Sequence, residues 1–319
     1  MMMADIIGAI NASSIIAIVT HINPDGDAIG SSLALMHAIK NKGKEVQVYC
    51  QDDIPQTFDF LAGVKNIRKP ELIQNTKYDL VIALDCSDMD RMGSCNTIFN
   101  RSERSANIDH HISNTRYAQI NIVDGKAAAT GEIIFELIKK LINFKDKNIA
   151  RALYTSIVSD TGRFAFSNTT SRTHRVVAEL LDWGADQVEI SNQLFKNYSL
   201  EWVQLLGYAI NSLETFHHGR IAVISITLDM MESAGADERH IEGIIQYAKD
   251  IKDIELAILL REVNPQTTKA SLRSSSIIDV SSMAMEFGGG GHKRAAGCTL
   301  NTPLIEAKKS LLGAAINYL

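Results

Sequence analysis

The stretches SSIIAIVT (13–20) and YDLVIALD (78–85) each carry five consecutive apolar residues at their centre. A strand with one face in water alternates polar and apolar side chains, so a run apolar on both faces must be covered on both. Between and after these runs lie helical patterns. AIGSSLALMHAIKNKG (28–43) ends near Gly43, and TGEIIFELIKKLI (130–142) and NIARALYTSIVS (148–159) place apolar residues at three-to-four spacing. With EVQVYC (45–50) as a further strand, the alternation predicts an α/β fold: a mostly parallel sheet covered by helices.

At 319 residues the chain exceeds what one hydrophobic core usually serves. A more polar helical stretch separates a second strand-rich run, which predicts domains at 1–189 and 215–319 joined by a helical linker at 190–214. The second domain reads as smaller and α+β. Its strands are RIAVISIT, IELAILLREV and KASLRS, and its helices are HIEGIIQYAKDI and PLIEAKKSLLGAAINYL.

Lys and Arg total 32 against 37 Asp and Glu, a formal charge of −5. No global basic field is available to grip long nucleic acid, so a nucleotide ligand is expected to be short and held locally, without a stable complex with a long strand. Cys50, Cys86, Cys95 and Cys298 show no paired metal-type spacing and are too sparse for a disulfide framework. No signal pattern opens the sequence, and no stretch reaches the roughly 20 apolar residues of a membrane span. A cytoplasmic protein without a membrane partner is expected.

Chemistry concentrates where apolar runs end. The first is followed by HINPDGDAIGS, which sets His21, Asp25 and Asp27 at the carboxyl end of a strand and before a helix. Open α/β sheets place their sites there. The plainer reading makes Asp27 an N-cap and Asp25 a turn residue. Asp85 closes the next run, Asp109, His110 and His111 stand together in NIDHHISN, and Asp160 sits where a helix gives way to the turn DTGRF. Together, His21, Asp25, Asp27, Asp85, His110 and Asp160 supply two imidazoles and four carboxylates. That set suits two divalent ions with one bridging carboxylate. His37, His174, His217, His218 and His240 lack such companions and read as surface or packing residues, and Cys86 as a small buried one.

These residues make the chain resemble the DHH phosphoesterase family. The resemblance extends into the second half, where SLRSSS (271–276) and GGGGHKRAAG (288–297) are similar to the DHH-associated C-terminal domain. It implies that His21, Asp25 and Asp85 hold one metal and Asp27, Asp85, His110 and Asp160 the other, with manganese the usual ion. It gives His111 a phosphate-facing role and Asp109 an orienting one, the two residues assigned to catalysis. Arg273, Ser275, Gly289, Gly290, Gly291, His292 and Arg294 would bind substrate, in a site expected at the cleft between the domains. Within the family the two-domain plan is most similar to the branch that degrades short RNA oligonucleotides and dephosphorylates 3′-phosphoadenosine 5′-phosphate (pAp). A cyclic-dinucleotide or pApA phosphodiesterase is the nearest alternative; a manganese pyrophosphatase or a catalytically dead nucleotide-binding module is more distant. The resemblance leaves room for a homodimer.

Overall fold

The computed structural model describes residues 2–70, 76–195, 198–275 and 278–319. The chain divides into two compact units, residues 1–197 and 198–319. No helix among the described residues is long and apolar enough to cross a membrane.

Unit 1 is built on β1 (Ile15–Val19), β2 (Glu45–Tyr49), β3 (Leu80–Leu84), β4 (Arg104–Asp109) and β5 (Ile120–Val123). They lie in the order β2-β1-β3-β4-β5, and every pairing is parallel. β3 is buried along its whole length and β1 along all but its first residue, as two-sided apolar runs require. The helices are α1 (Met2–Ala12), α2 (Gly26–Asn41), α3 (Asn96–Asn100), α4 (Thr130–Leu141), α5 (Lys147–Asp160), α6 (Ser171–Asp182) and α7 (Gln187–Phe195). The stretches forming α1, α6, β4 and β5 are not assigned from sequence pattern alone. β4 reads RSANID, too polar for a buried strand, yet its last four residues are buried because Asn107 finds partners in two backbone carbonyls and the Tyr117 hydroxyl.

Helix α2 begins two residues before the sequence expectation. Asp25 is its N-cap, accepting from the backbone N–H groups of Asp27 and Ala28 at 3.0 Å each, so Asp27 lies in the first turn instead of capping it. Along its length α2 meets α5 closely. A Cβ on Gly30 would stand 2.4 Å from the Ala152 carbonyl oxygen and 2.8 Å from Ser156 Cβ, and one on Gly131 in α4 would overlap the Ser156 hydroxyl. Three helices therefore converge on one serine with hydrogen as the only side chain that fits between them.

Unit 2 carries a six-stranded sheet from β6 (Glu214–Phe216), β7 (Ile221–Ile226), β8 (Leu256–Asn264), β9 (Thr267–Ser274), β10 (Gly290–His292) and β11 (Ala295–Leu300). Its order is β10-β11-β9-β8-β7-β6, with β7 and β8 parallel and the rest antiparallel. One apolar cluster includes α11 (Val280–Met285) and α12 (Leu304–Ala315); the other includes α8 (Leu200–Asn211), α9 (Leu228–Ala234) and α10 (Ile244–Lys249). The stretch expected as a linker forms α7, whose Ile190 joins the core of unit 1, and α8, whose Trp202, Leu205 and Ala209 join a core of unit 2. The four-glycine run leads into β10. Gly289 and Gly291 are required there because a Cβ on either would strike the backbone of β11 at 2.2 to 2.7 Å.

The close approach of α2 and α5 has a measurable consequence. Gly30→Ala should lower stability by about 1–3 kcal/mol through overpacking. Gly207→Ala, in α8 with open space around it, should raise stability by about 0.5–1 kcal/mol. Urea midpoints at unchanged slope measure both; a neutral Gly30→Ala would contradict this packing.

Candidate metal centre

The strand order 2-1-3-4-5 reverses direction between β1 and β3, the point at which sheets of this kind open a crevice at their carboxyl edge. His21 follows β1, Asp85 follows β3, and β4 ends in Asp109 with His110 and His111 next. Helices supply the remaining groups: Asp27 from the first turn of α2 and Asp160 from the last residue of α5. Asp85 holds a left-handed φ of 59°, a strained conformation for a residue with a side chain and a frequent mark of a functional site.

The groups expected from sequence to bind metal meet in two overlapping sets. His21 Nε2 lies 3.5 Å from Asp85 Oδ2 and 3.8 Å from Asp25 Oδ1. His110 Nε2 lies 3.5 Å from Asp160, 3.7 Å from Asp85 and 3.8 Å from Asp27. These separations are too long for hydrogen bonds. They approach the roughly 3 to 3.5 Å between two donors that share an ion at about 2.1 Å. Three groups have ligand atoms close enough to share an ion: His21, Asp25 and Asp85; Asp27, His110 and Asp160; and Asp85, His110 and His111, whose Nδ1 is 3.6 Å from Asp85. The cluster could therefore hold divalent metal.

Electrostatics favour a cation in the same place. Asp27 is 1% exposed, and burial together with the neighbouring charges of Asp85, Asp160 and Asp25 pushes its carboxyl well above the usual range. Burial pushes Asp160 up to about 6, against the pull of His110. For His21 burial works downward, but the carboxylates of Asp25 and Asp85 outweigh it and push the imidazole up to about 10. A cation among these carboxylates would offset the mutual repulsion that raises them.

Supporting contacts fix the geometry. Asp27 accepts from Ser31, Ser156 and the first two N–H groups of α4, Thr130 at 2.7 Å and Gly131 at 3.1 Å; α4 has no side-chain cap of its own. The Thr130 hydroxyl donates to Asp85 at 2.9 Å. Asp109 is fully buried and accepts from the His110 N–H, from His111 Nδ1 at 2.8 Å and from Asn114 at 2.6 Å. Burial would raise Asp109, but these bonds hold it below the usual carboxylate range. Its bond to His111 raises that imidazole and leaves Nε2 facing outward. Sequence reasoning missed Thr130, Ser31, Ser156 and Asn114, whose roles arise only from tertiary contact. It also missed Arg91, whose guanidinium stands 3.4 Å from His21 Nδ1. The sequence does place Arg91 shortly after Asp85, an available but unspecific signal.

Elsewhere, the structure gives the remaining candidates other surroundings. Cys86 is fully buried, and burial pushes its thiol well above its ordinary value, as for a packed core residue. His37 bonds the Ala62 carbonyl. His240 does have an acidic companion, Asp237, but the two form a reciprocal cap on a short turn. In unit 2, Arg273 donates to its neighbour's carbonyl at 3.0 Å, Ser275 donates to Ile254, and Arg294 leans on Ser274 and Ile278, while His292 and Gly290 are exposed. Arg261, Lys269, Ser271 and Arg273 line a cavity of about 330 Å³ together with Glu238 and Glu242.

Residues 15–157 match the DHH family, N-terminal domain, and residues 219–319 match the DHHA1 domain. The bifunctional oligoribonuclease and PAP phosphatase NrnA of Thermus thermophilus is 34% identical over 94% of this chain and 87% of its own length. The protein of the same description from Bacillus subtilis is 26% identical over 94% and 93%. The crystal structure of an exopolyphosphatase-related protein from Bacteroides fragilis superposes with a TM-score of 0.89 at 28% identity, covering 99% of this chain and 96% of that one. With a carboxylate-imidazole cluster at the sheet edge and likeness sustained through both units, this chain belongs to the DHH family.

Proposed function

We propose that the protein is a metal-dependent phosphoesterase that hydrolyses short oligoribonucleotides to nucleoside monophosphates and pAp to AMP. The observation that carries this reading is the convergence of His21, Asp25, Asp27, Asp85, His110 and Asp160 around a shared carboxylate, in a chain similar nearly end to end to proteins named for those two activities. Two divalent ions, manganese first among them, would be held by His21, Asp25 and Asp85 and by Asp27, Asp85, His110 and Asp160. When bound, such ions acidify water and neutralise charge at phosphorus.

The protein's own groups do the rest. Asp109 accepts from His111 Nδ1 and favours the protonated imidazole, whose Nε2–H can donate to a non-bridging phosphate oxygen. Arg91 adds a guanidinium beside the same centre. In unit 2, Arg273, with Lys269 and Arg261 in the adjoining cavity, suits the phosphate of a nucleotide that is not being cut. Ser275, Gly289, Gly290, Gly291, His292 and Arg294 remain part of the proposed substrate surface. All four cysteines are buried thiols, which suits a reducing, cytoplasmic setting.

The direct test offers manganese-loaded protein di- to decaribonucleotides, pAp, pApA, cyclic di-AMP and pyrophosphate side by side. Short oligoribonucleotides and pAp should be turned over fastest. Preference for cyclic di-AMP or pApA, or faster hydrolysis of pyrophosphate, would replace this reading.

Two substitutions probe the roles separately. Asp85→Ala should lose metal and nearly all turnover together, because both ligand sets depend on that carboxylate, whereas Asp109→Ala should weaken metal binding roughly 10- to 100-fold and keep the site. A fully loaded and active Asp85→Ala protein would end the shared-ligand assignment. Arg273→Ala should raise KM about ten- to a hundredfold for oligoribonucleotides and pAp, the worth of a charged hydrogen bond, and leave bis-p-nitrophenyl phosphate nearly unaffected. Equal losses on both would assign Arg273 to the fold.

A further inference from the structure

The segment that follows Asp160 has an unusual backbone. Gly162, Arg163 and Phe164 hold φ values of 53°, 61° and 67°, three left-handed residues in succession, two of them with side chains. Left-handed conformations occur in L residues as isolated positions, so a consecutive run is strained and persists only where its surroundings enforce it. Here they do. The Arg163 guanidinium lies over the Phe195 ring at 4.0 Å, Phe164 packs edge-on against Tyr154 and beside His174, and its N–H donates to the Thr161 hydroxyl. Asn168 then ties the segment back with two 3.0 Å bonds, to the carbonyls of Ala128 and of Asp160 itself.

The outcome of this strained turn is the position of Phe166. Its N–H donates to the Thr161 carbonyl at 3.0 Å, and its ring lies over Gly162, where a Cβ would stand 2.4 Å from the ring. The ring is nevertheless 60% exposed. Single exposed apolar side chains are common on protein surfaces. This one differs because its ring covers Gly162, itself held at a left-handed φ of 53°, six residues after the candidate ligand Asp160, while burial returns little for it.

We propose that Phe166 is a stacking platform for the nucleobase of the nucleotide whose phosphate reaches the centre, a specificity-determining contact no sequence motif assigned. An aromatic face accepts any base, so the contact favours nucleotides over other phosphate esters without selecting among the four bases. The inference rests on the phosphoesterase reading above.

The test compares Phe166→Leu and Phe166→Tyr with the parent on a diribonucleotide and on its abasic counterpart. Phe166→Leu should raise KM for the diribonucleotide roughly five- to a hundredfold, the range base–aromatic stacking supports, with kcat little changed. Phe166→Tyr should restore it, and the abasic substrate should not distinguish the three proteins. Independently of turnover, a 2-aminopurine dinucleotide bound in calcium should be quenched by the parent and by Phe166→Tyr but not by Phe166→Leu. Quenching without any turnover would sustain stacking and defeat the phosphoesterase reading. Equal KM values and equal fluorescence in all three proteins, or equal losses on both substrates, would overturn the stacking role.

Discussion

The Asp27 carboxylate organises unit 1. A buried carboxylate is costly unless it is well bonded, and Asp27 accepts from two hydroxyls and from the bare N-terminus of α4. One side chain thereby satisfies a helix end that has no cap, draws α4 and α5 against α2, and turns toward His110. The glycines at positions 30 and 131 follow from the same contact, since the helices can share one carboxylate only if nothing larger than hydrogen separates them from Ser156. Replacing Asp27 would leave two helix N–H groups and two hydroxyls without their acceptor.

Charge is arranged differently in the two units. In unit 1 the carboxylates gather at one sheet edge, each raising the cost of ionising the next. Such a set is stable when ionised only with cations among it. In unit 2 Arg261 of β8 and Lys269 and Arg273 of β9 line one cavity, with Glu238 paired to Arg261 at 3.0 Å and held below its ordinary range by it.

What was legible in the sequence follows the same physics. β1 and β3 were readable because burial on both faces leaves an unbroken apolar run, and α4 and α5 because one face of each must be apolar. The gathering of His21, Asp25, Asp27, Asp85, His110 and Asp160 was readable because parallel strands deliver their carboxyl ends to one edge. β4 was not, since its buried polar residue, Asn107, is satisfied by groups far away in sequence. The start of α2 was misjudged because two aspartates compete for the cap, and only their hydrogen bonds decide between them. At Gly289 and Gly291 the structure adds a packing reason that the sequence does not show, since a Cβ on either would strike β11. Arg91 left only an unspecific signal and Thr130 none: their importance lies in what stands opposite them.

The left-to-right order of these groups along the chain also bears on how the protein comes into being. His21, Asp25 and Asp27 leave the ribosome early, Asp85 and His110 midway, and Asp160 only with the end of α5. The set of His21, Asp25 and Asp85 is complete in sequence once Asp85 has emerged, whereas the set that needs Asp160 waits for the end of α5. Helix α2 must wait, with the Asp27 carboxylate unsatisfied, for α4 and α5 to be synthesised and packed. The groups of the centre are thus all synthesised before α6 and α7, whose Val176, Leu180 and Ile190 complete the core of unit 1.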